Sequence, residues 1–327
     1  MKAITFDDFG TADVLQLTDV PEPALRPDDL LVRNRAVGVN RADLNQRRGA
    51  YGRADFGDST LMGLEIAGEV IAMGANVAGF ALGDRVMGIV GGGAYAEIAR
   101  IDHRMAVHVP HGLDDVQAAA VPEVFVTAHE ALVHLGRIEA GERVLIHAAA
   151  GGVGSAAVQL AHAVGAQVFA SASGDKLDRV RALGADVGID HRTQDFAEVV
   201  AAETGGRGVD VVIDFVGAPY FERNVRALAD GGRLVQVGVM GGTAGASMPI
   251  DRLLFGHLQI MGTVMKSRTP AVKQAMTRRF AQRWLAQFGS GELRPVIDTV
   301  LPLAQAAEAH RRMEAGLNVG KIVLSVP

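Results

Sequence analysis

The chain has 327 residues, a formal net charge of −5 and no cysteine. This length predicts two domains, and the acidic balance argues against a nucleic-acid partner. The missing cysteines exclude disulfides, thiol catalysis and metal sites built on thiolates. No apolar run is long enough to cross a bilayer, and the acidic N-terminal stretch Met1–Asp8 lacks the apolar core of a signal peptide. We therefore expect a cytoplasmic protein with no membrane partner.

Up to about residue 120, short β-like runs alternate with turns rich in Gly, Pro and Asp. Leu30–Ala36, Ile66–Met73 and Arg85–Ile89 are such runs, and their spacing predicts a small β-barrel-like domain. Within it, Met105–Pro110 alternates like an exposed edge strand, and we expect no metal site at the histidines around it.

From residue 123 the pattern changes to strands that alternate with helical stretches. This alternation predicts a doubly wound parallel sheet over residues 123–265. The six predicted strands are Val144–His147, Val168–Ala172, Val187–Asp190, Val209–Phe215, Arg233–Val239 and Leu258–Val264. Because that sheet is then complete, we expect the last segment, residues 266–327, to rejoin residues 1–122.

The segment Ala148–Ser155 joins the first of these strands to a helix through a glycine-rich turn. Such a turn, placed between a strand and a helix, predicts a binding site for a dinucleotide pyrophosphate. Gly151 would let the phosphates approach, and Gly154 would let the helix pack on the strand, with Gly152 and Val153 between them. A turn that serves packing alone is the alternative.

The residues after the second strand favour NADPH over NADH. NAD-selective sites usually place an acid about 20 residues beyond the glycines, whereas this chain has Ser171 there. Asp175 is the main objection. The hydroxyl, imidazole and cationic groups that we expect around the 2′-phosphate are those of Ser171, Ser173, Lys176, His191 and Arg192.

Ligands of parallel sheets bind at the carboxyl ends of the strands. Phe215 and Gly217 lie at the end of the fourth predicted strand, and Gly238 and Met240 lie at the end of the fifth. We therefore expect these four residues to flank the adenine-ribose and nicotinamide portions of the cofactor. Plain glycine turns are the alternative there.

Several motifs occur in the order found in the medium-chain dehydrogenase/reductase superfamily, and the chain resembles its zinc-free quinone oxidoreductases. The motifs are Asn40–Leu44, Gly63–Gly68, Gly83–Val86, the glycine turn, Val121–Glu123, Thr127-Ala128 and Gly320–Leu324. The resemblance implies an α/β protein with a Rossmann domain and a GroES-like catalytic domain. Zinc enzymes of the superfamily carry a cysteine near residue 40 and a histidine where this chain has Leu64, so the resemblance implies catalysis without zinc.

The resemblance also implies roles for individual residues. Asn40, Gln46 and Tyr51 would face the nicotinamide or the substrate, with Tyr51 bonding a quinone oxygen. Thr127, Val153 and Asn318 would lie near the cofactor, and His191 stands where relatives commonly have tyrosine. Other interpretations remain open, in which Asn40 begins a helix with Asp43, Tyr51 is a loop aromatic and Asn318 caps the preceding helix.

These features predict an NADPH-dependent quinone reductase that passes hydride directly to a small quinone. The alternatives are a 2-alkene reductase that acts on enones or enoyl thioesters, and a nucleotide-binding protein without catalysis. The sixth predicted strand is an apolar sheet edge, which would aggregate if left bare. We therefore expect a homodimer formed through the edge at residues 258–264.

Overall fold

The computed structural model describes residues 1–50 and 59–327. The chain forms two compact units: the first unit is Met1–Val126 with Thr269–Pro327, and the second unit is Thr127–Arg268. From the sequence, the boundaries were expected at 122/123 and 265/266. The first of these positions falls at the start of one continuous helix, Pro122–His129, in which no turn residue marks the change of unit.

The first unit is built on a seven-stranded sheet with a separate two-stranded ribbon. Its strands are β1 Lys2–Thr5, β2 Gln16–Asp19, β3 Asp29–Val39, β4 Glu65–Met73, β5 Arg85–Ile89, β6 Ile98–Asp102, β7 Ala106–His108, β14 Ile297–Pro302 and β15 Lys321–Ser325. Its helices are α1 Arg41–Arg47, α2 Asp115–Ala118, α3 Pro122–His129 (which runs on into the second unit), α9 Pro270–Ser290 and α10 Ala306–Glu314.

The order of the larger sheet is β14-β15-β3-β4-β5-β7, and β6 also pairs with β3. The C-terminal strand β15 lies antiparallel to β3, so the last segment does return to the first part of the chain. The edge strand expected near residue 107 is β7, which in the described part of the chain pairs with β5 alone.

Two registers of this sheet bring distant residues together. Ile322 lies opposite Val39, which sets Lys321 beside the end of β3. Ile66 lies opposite Val37, which sets Glu65 at the same place. Gly38 is required between them, because a Cβ there would lie 2.2 Å from Glu65 Oε1.

The second unit contains a six-stranded sheet in the order β10-β9-β8-β11-β12-β13, with every pair parallel. Its strands are β8 Arg143–Ile146, β9 Gln167–Ala172, β10 Val187–Asp190, β11 Val209–Asp214, β12 Leu228–Gln236 and β13 Gln259–Gly262. Its helices are α4 Gly152–Val164, α5 Leu177–Ala182, α6 Phe196–Glu203, α7 Ala218–Ala227 and α8 Ile250–Phe255.

This sheet is the doubly wound sheet that the sequence predicts, and its strand order reverses between β8 and β11. Leu145, Phe169 and Val212 are fully buried in its core, since strands covered by helices on both faces are apolar throughout. The fifth strand begins earlier than predicted, at Leu228. Leu228 pairs with Val209 of β11, and this pairing ends α7 at Ala227.

Among the described residues, no helix is both long enough and apolar enough to cross a membrane.

Candidate active site

A buried carboxylate, that of Glu65, links three elements of the first unit. Glu65 Oε1 accepts a hydrogen bond from Asn40 Nδ2 at 2.8 Å and also from Lys321 Nζ, while Oε2 accepts one from the backbone N–H of Glu123 at 2.9 Å. Lys321 Nζ also donates to Val39 O and to Asn40 Oδ1, at 2.8 and 2.7 Å. The start of α1, the start of α3 and the strand β15 therefore meet at one charged cluster, which we call the Glu65 cluster (Asn40, Glu65, Glu123 and Lys321).

Asn40 begins helix α1, as one interpretation of the sequence expected. Its backbone N–H donates to Asp43 Oδ2 at 2.7 Å. Its side-chain amide is bonded within the Glu65 cluster, with Nδ2 donating to Glu65 and Oδ1 accepting from Lys321. The amide of Asn40 is thus buried and held in one orientation by Glu65 and Lys321.

Asp43 has no exposed surface, and burial raises the pKa of its carboxyl to about 7 despite two donors on Oδ2. The second donor is the Tyr95 hydroxyl, at 3.0 Å. Asp43 Oδ1 has no hydrogen-bond partner among the described residues. This carboxyl therefore titrates near neutrality inside the unit.

The Tyr95 hydroxyl also contacts His310 Nε2 at 3.2 Å, and His310 Nδ1 lies 3.4 Å from the guanidinium of Arg47. Arg47 in turn pairs with Glu314. Burial, followed by repulsion from Arg47, lowers the pKa of His310 to about 3. The imidazole is consequently neutral and serves as a fixed hydrogen-bonding link between Tyr95 and Arg47.

The remaining predicted residues of the first unit are placed as follows. Gln46 is buried, and its Oε1 has no hydrogen-bond partner among the described residues. Tyr51 lies outside the described residues. Asn318 donates from Nδ2 to Gly320 O at 2.8 Å. It does not cap α10, because the left-handed residue that ends this helix is Gly316, with φ 63°.

In the second unit, the glycine turn has the geometry of an anion site. Gly151 is the N-cap of α4, and no side chain caps the helix there, so its first N–H groups remain for a ligand. A Cβ on Gly151 would meet a single atom, Ala148 O, at 3.2 Å. A Cβ on Gly154 would instead lie 2.3 Å from Ala148 O and 2.7 Å from Ala149 Cα. A single contact at Gly151 and close packing against the backbone at Gly154 fit a bound pyrophosphate.

His147 holds the strand ends around this turn. Its Nδ1 lies 2.8 Å from Ser171 Oγ, and its Nε2 lies 2.8 Å from Asn224 Oδ1. Burial lowers its pKa, so the ring is neutral. The next residue, Ala148, has a left-handed backbone with φ 47°, which costs an alanine roughly 1–2 kcal/mol.

The contact with His147 changes the interpretation of Ser171. Its side chain is buried and its hydroxyl is bonded inside the unit, whereas the sequence led us to expect a hydroxyl free to meet a 2′-phosphate. Both faces of β9 are buried, so side-chain alternation does not turn Ser171 toward solvent.

The other predicted phosphate contacts lie past the carboxyl ends of β9 and β10. Ser173 Oγ is 3.5 Å from His191 Nε2, and His191 and Arg192 are exposed. Lys176 ends the short 3₁₀ turn Gly174–Lys176. Asp175, the expected objection, lies 3.6 Å from the guanidinium of Arg192, and both side chains are exposed.

The segments after β11 and β12 are joined by backbone hydrogen bonds. Met240 N–H donates to Phe215 O at 3.0 Å, and Ala218 N–H donates to Gly242 O at 3.0 Å. Gly217 has φ 92°, and a Cβ on it would lie 2.7 Å from Gly242 O. The structure thus brings Phe215 and Gly217 together with the segment Gly238–Gly242, at the same sheet edge as the glycine turn.

Thr127, another predicted cofactor contact, lies in α3 and is half-buried.

None of the three charged residues of the Glu65 cluster, Glu65, Glu123 and Lys321, was identified as a site residue from the sequence. Glu123 lies in the first turn of α3, and its Oε2 is buried without a hydrogen-bond partner among the described residues. Burial and the nearby Glu65 raise the pKa of its carboxyl to about 8. A glutamate at the start of a helix is usually an exposed favourable charge, so the sequence carried no signal of this burial.

The resemblance places a zinc ligand of related enzymes where this chain has Leu64, and the chain has no cysteine. In the part of the chain that the structure describes, no group of three or more His, Asp or Glu side chains is arranged to hold one.

Comparison with known families assigns both units. The model of the alcohol dehydrogenase GroES-like domain matches residues 26–111, and that of the zinc-binding dehydrogenase matches residues 152–282. The chain belongs to the medium-chain dehydrogenase/reductase superfamily. It is an oxidoreductase with the nicotinamide-dependent fold of that superfamily, a GroES-like domain and a Rossmann domain.

Individual relatives include both quinone and enoyl reductases. The Escherichia coli quinone oxidoreductase complexed with NADPH has a TM-score of 0.90 at 27% identity, over 100% of both chains. CurK enoyl reductase has a TM-score of 0.88 at 30% identity, over 100% of this chain and 99% of that one. The polyketide synthase system protein NorB of Streptomyces orinoci is 40% identical over 97% of this chain. This chain spans only 14% of the length of NorB.

Proposed function

We propose that this protein is a zinc-independent NADPH-dependent reductase of conjugated carbonyl compounds, with a small quinone as its acceptor. The observation that carries the proposal is the Glu65 cluster, where an amide and carboxyl groups stand in place of metal ligands. Without a Lewis acid to stabilise an alkoxide, alcohol oxidation is disfavoured. A quinone delocalises the charge that it gains, so it requires less help from the protein.

NADPH supplies a hydride when it is bound. The N–H groups at the start of α4 would bind its pyrophosphate, and Ser173, His191 and Arg192 would bind its 2′-phosphate. Asp175 reduces the positive charge of Arg192, which limits the preference for NADPH. The E. coli quinone oxidoreductase, which was solved with NADPH, supports this choice of cofactor.

Asn40 and Gln46 would orient the acceptor, and Tyr51 would donate to its oxygen. The chain is similar to the p53-inducible NADPH quinone oxidoreductase at Asn40–Leu44, Gln46-Arg47, Tyr51 and Val121–Glu123, and this resemblance supports quinones as substrates. Asn40 is already held in one orientation by Glu65 and Lys321, so its amide is preorganised for this task.

A 2-alkene reductase is the second candidate. Two findings favour it: the likeness to CurK enoyl reductase and the polyketide synthase proteins among the relatives. The same hydride donor and the same cluster would serve an enone or an enoyl thioester. This chemistry differs in needing a proton on the substrate after the hydride arrives.

The test is the rate of NADPH oxidation, followed by absorbance, with 1,2-quinones, 1,4-quinones, simple enones and an enoyl-CoA. We expect kcat/KM to be highest for a quinone, and higher with NADPH than with NADH. Faster turnover of the enone or the thioester would assign alkene reduction. If NADPH binds tightly and no acceptor is reduced, the protein is a nucleotide-binding protein without this activity.

A further inference from the structure

Asp214, the last residue of β11, lies where the segments after β11 and β12 meet. The residue has no exposed surface. Its Oδ1 accepts a hydrogen bond from the backbone N–H of Val216 at 2.7 Å, and its Oδ2 accepts one from that of Gly217 at 3.1 Å. A buried carboxylate needs donors that replace its water, and here both donors belong to residues 215–217, which we call the first loop. The carboxylate therefore fixes the shape of that loop.

The main chain of the same residue holds the neighbouring segment, residues 237–242, which we call the second loop. The carbonyl oxygen of Asp214 accepts from the backbone N–H groups of Val237 and Gly238, at 2.8 and 3.3 Å. Gln236, the last residue of β12, donates from Nε2 to that same oxygen at 3.3 Å and to Gly238 O at 2.6 Å. Asp214 thus bonds both loops, the first through its side chain and the second through its backbone.

The two loops are also joined directly to each other. Gly241 N–H donates to Val216 O at 2.7 Å, in addition to the two backbone bonds described above. Gly217 packs so closely on the second loop that a Cβ on it would lie 2.7 Å from Gly242 O. A shift of the first loop would therefore move the second loop with it.

We propose that Asp214 is a positioning residue for the cofactor and keeps the two loops at the spacing that NADPH requires. This inference rests on the proposed function. Both loops lie at the same edge of the sheet as the glycine turn, where a dinucleotide would bind. We expect the first loop at the adenine-ribose and the second loop at the nicotinamide. Because Asp214 is buried, it acts through the loops, which it holds in one arrangement so that they need not be ordered on binding.

The variant that tests this is Asp214→Asn, in which an amide nitrogen replaces one acceptor oxygen and cannot accept an N–H of the first loop. Calorimetric titration of the cofactor-free protein should give a Kd for NADPH that is raised about tenfold, the effect of one lost hydrogen bond to a charged group. The Kd for 2′,5′-ADP, which carries the adenine half of the cofactor alone, should rise as well.

Asp210→Asn is the matched control. Asp210 lies on the same strand and is also buried, with Oδ2 accepting from the Arg143 N–H at 2.8 Å and Oδ1 from the Arg207 guanidinium at 2.7 Å. Those contacts are near the start of β11, away from the two loops at its end. Both substitutions should lower the free energy of unfolding, which urea denaturation measures, whereas only Asp214→Asn should weaken NADPH binding.

Gln236→Leu distinguishes the two loops. It removes the side-chain bonds to Asp214 O and Gly238 O and leaves the carboxylate of Asp214 in place. We expect it to raise the Kd for NADPH and to leave the Kd for 2′,5′-ADP unchanged. If Asp214→Asn does not fold, this variant decides.

A Kd for NADPH that is unchanged in Asp214→Asn would overturn the inference. An equal rise in Asp210→Asn would also overturn it, because affinity would then follow stability rather than the loops. So would a Gln236→Leu variant that loses affinity for 2′,5′-ADP as strongly as for NADPH. Failure of the proposed function is a different result, in which the wild-type protein binds NADPH and reduces none of the acceptors.

Discussion

Lys321 donates all three of its ammonium protons to buried acceptors, among them the carboxylate of Glu65. Both side chains are almost completely removed from solvent. A buried ion pair of this kind adds little net stability when compared with apolar residues, yet the loss of one partner leaves an uncompensated charge. Lys321 therefore fixes where Glu65, and through it Asn40 and Glu123, must lie.

Lys321→Met should lower the free energy of unfolding by about 3–5 kcal/mol, because the Glu65 carboxylate loses its counter-charge inside the unit. Urea denaturation measures this change. The control is Lys2→Met, which removes a lysine from an exposed pair with Asp19 and should cost at most about 1 kcal/mol. Similar losses in the two variants would show that the Glu65 cluster is not buried as described.

At the scale of elements, the joint between β8 and α4 combines a strained residue with a close contact. Ala148 adopts a left-handed backbone, and its carbonyl oxygen lies where a Cβ of Gly154 would fall. His147 anchors the joint to β9 and α7 through Ser171 and Asn224. The strain is maintained because contacts on both sides hold the turn in this one shape.

Gly154→Ala should force α4 away from Ala148, which costs about 1–3 kcal/mol of stability. It should also weaken NADPH binding by roughly tenfold or more, equivalent to about 1.4 kcal/mol. Gly151→Ala is the informative partner variant, since its φ is −77° and its Cβ would meet only Ala148 O, at 3.2 Å. It should weaken binding while costing less stability than Gly154→Ala. NADPH fluorescence titrations and urea denaturation separate the two effects, and unaltered binding in Gly151→Ala would argue against a pyrophosphate at the turn.

The sequence was most informative where periodicity and glycines define backbone geometry. All six strands of the parallel sheet and the role of Gly154 in packing were predictable, since apolar runs and tight turns are local properties. The direction in which a side chain points was not predictable, because it depends on residues that are distant in the sequence. Ser171 lies at the expected strand end, yet its hydroxyl is bonded to His147. Glu123 depends on a contact with Glu65, 58 residues earlier, and no spacing rule indicates such a pair.

For the whole molecule, the buried acids make stability depend on pH. The folded-state pKa values of Asp43 and Glu123 are raised to about 7 and about 8, from 3.8 and 4.5. The folded protein therefore binds these protons more tightly than the unfolded chain, and stability is lost as pH rises toward those values. His310, whose pKa is lowered to about 3 in the folded protein, has the opposite effect. It lowers the free energy of unfolding as pH falls below the ordinary histidine pKa of 6.5.

Between pH 6.5 and pH 8 the two acids thus act without opposition from His310. The free energy of unfolding should fall by roughly 2 kcal/mol over this interval, which urea denaturation at several pH values measures. Glu123→Gln should remove most of this decline in the free energy of unfolding. The control variant Glu203→Gln, at an exposed glutamate of α6, should retain it. A flat profile for the wild-type protein would show that neither acid is protonated at neutrality in the folded state.

The edge of the parallel sheet bears on the assembly of the molecule. In the described part of the chain, β13 pairs with β12 alone. The helix before it, α8, exposes Ile250, Leu254 and Phe255, whose relative exposures are 62%, 64% and 76%. A bare strand edge beside exposed apolar side chains invites pairing with another chain. A second copy that pairs through the same edge would cover both, and we propose that the protein is a homodimer of this kind.

Sizing with light scattering should therefore give twice the mass of one chain at micromolar concentration. Leu254→Asp should weaken the dimer by roughly tenfold or more, because a carboxylate would have to lose its water in each copy. Leu82→Asp is the matched control, since Leu82 is also 64% exposed and lies far from this edge in sequence. A monomeric wild-type protein would contradict the proposal. Equal dissociation of the two variants would show that the added charge, rather than its position on α8, separates the copies.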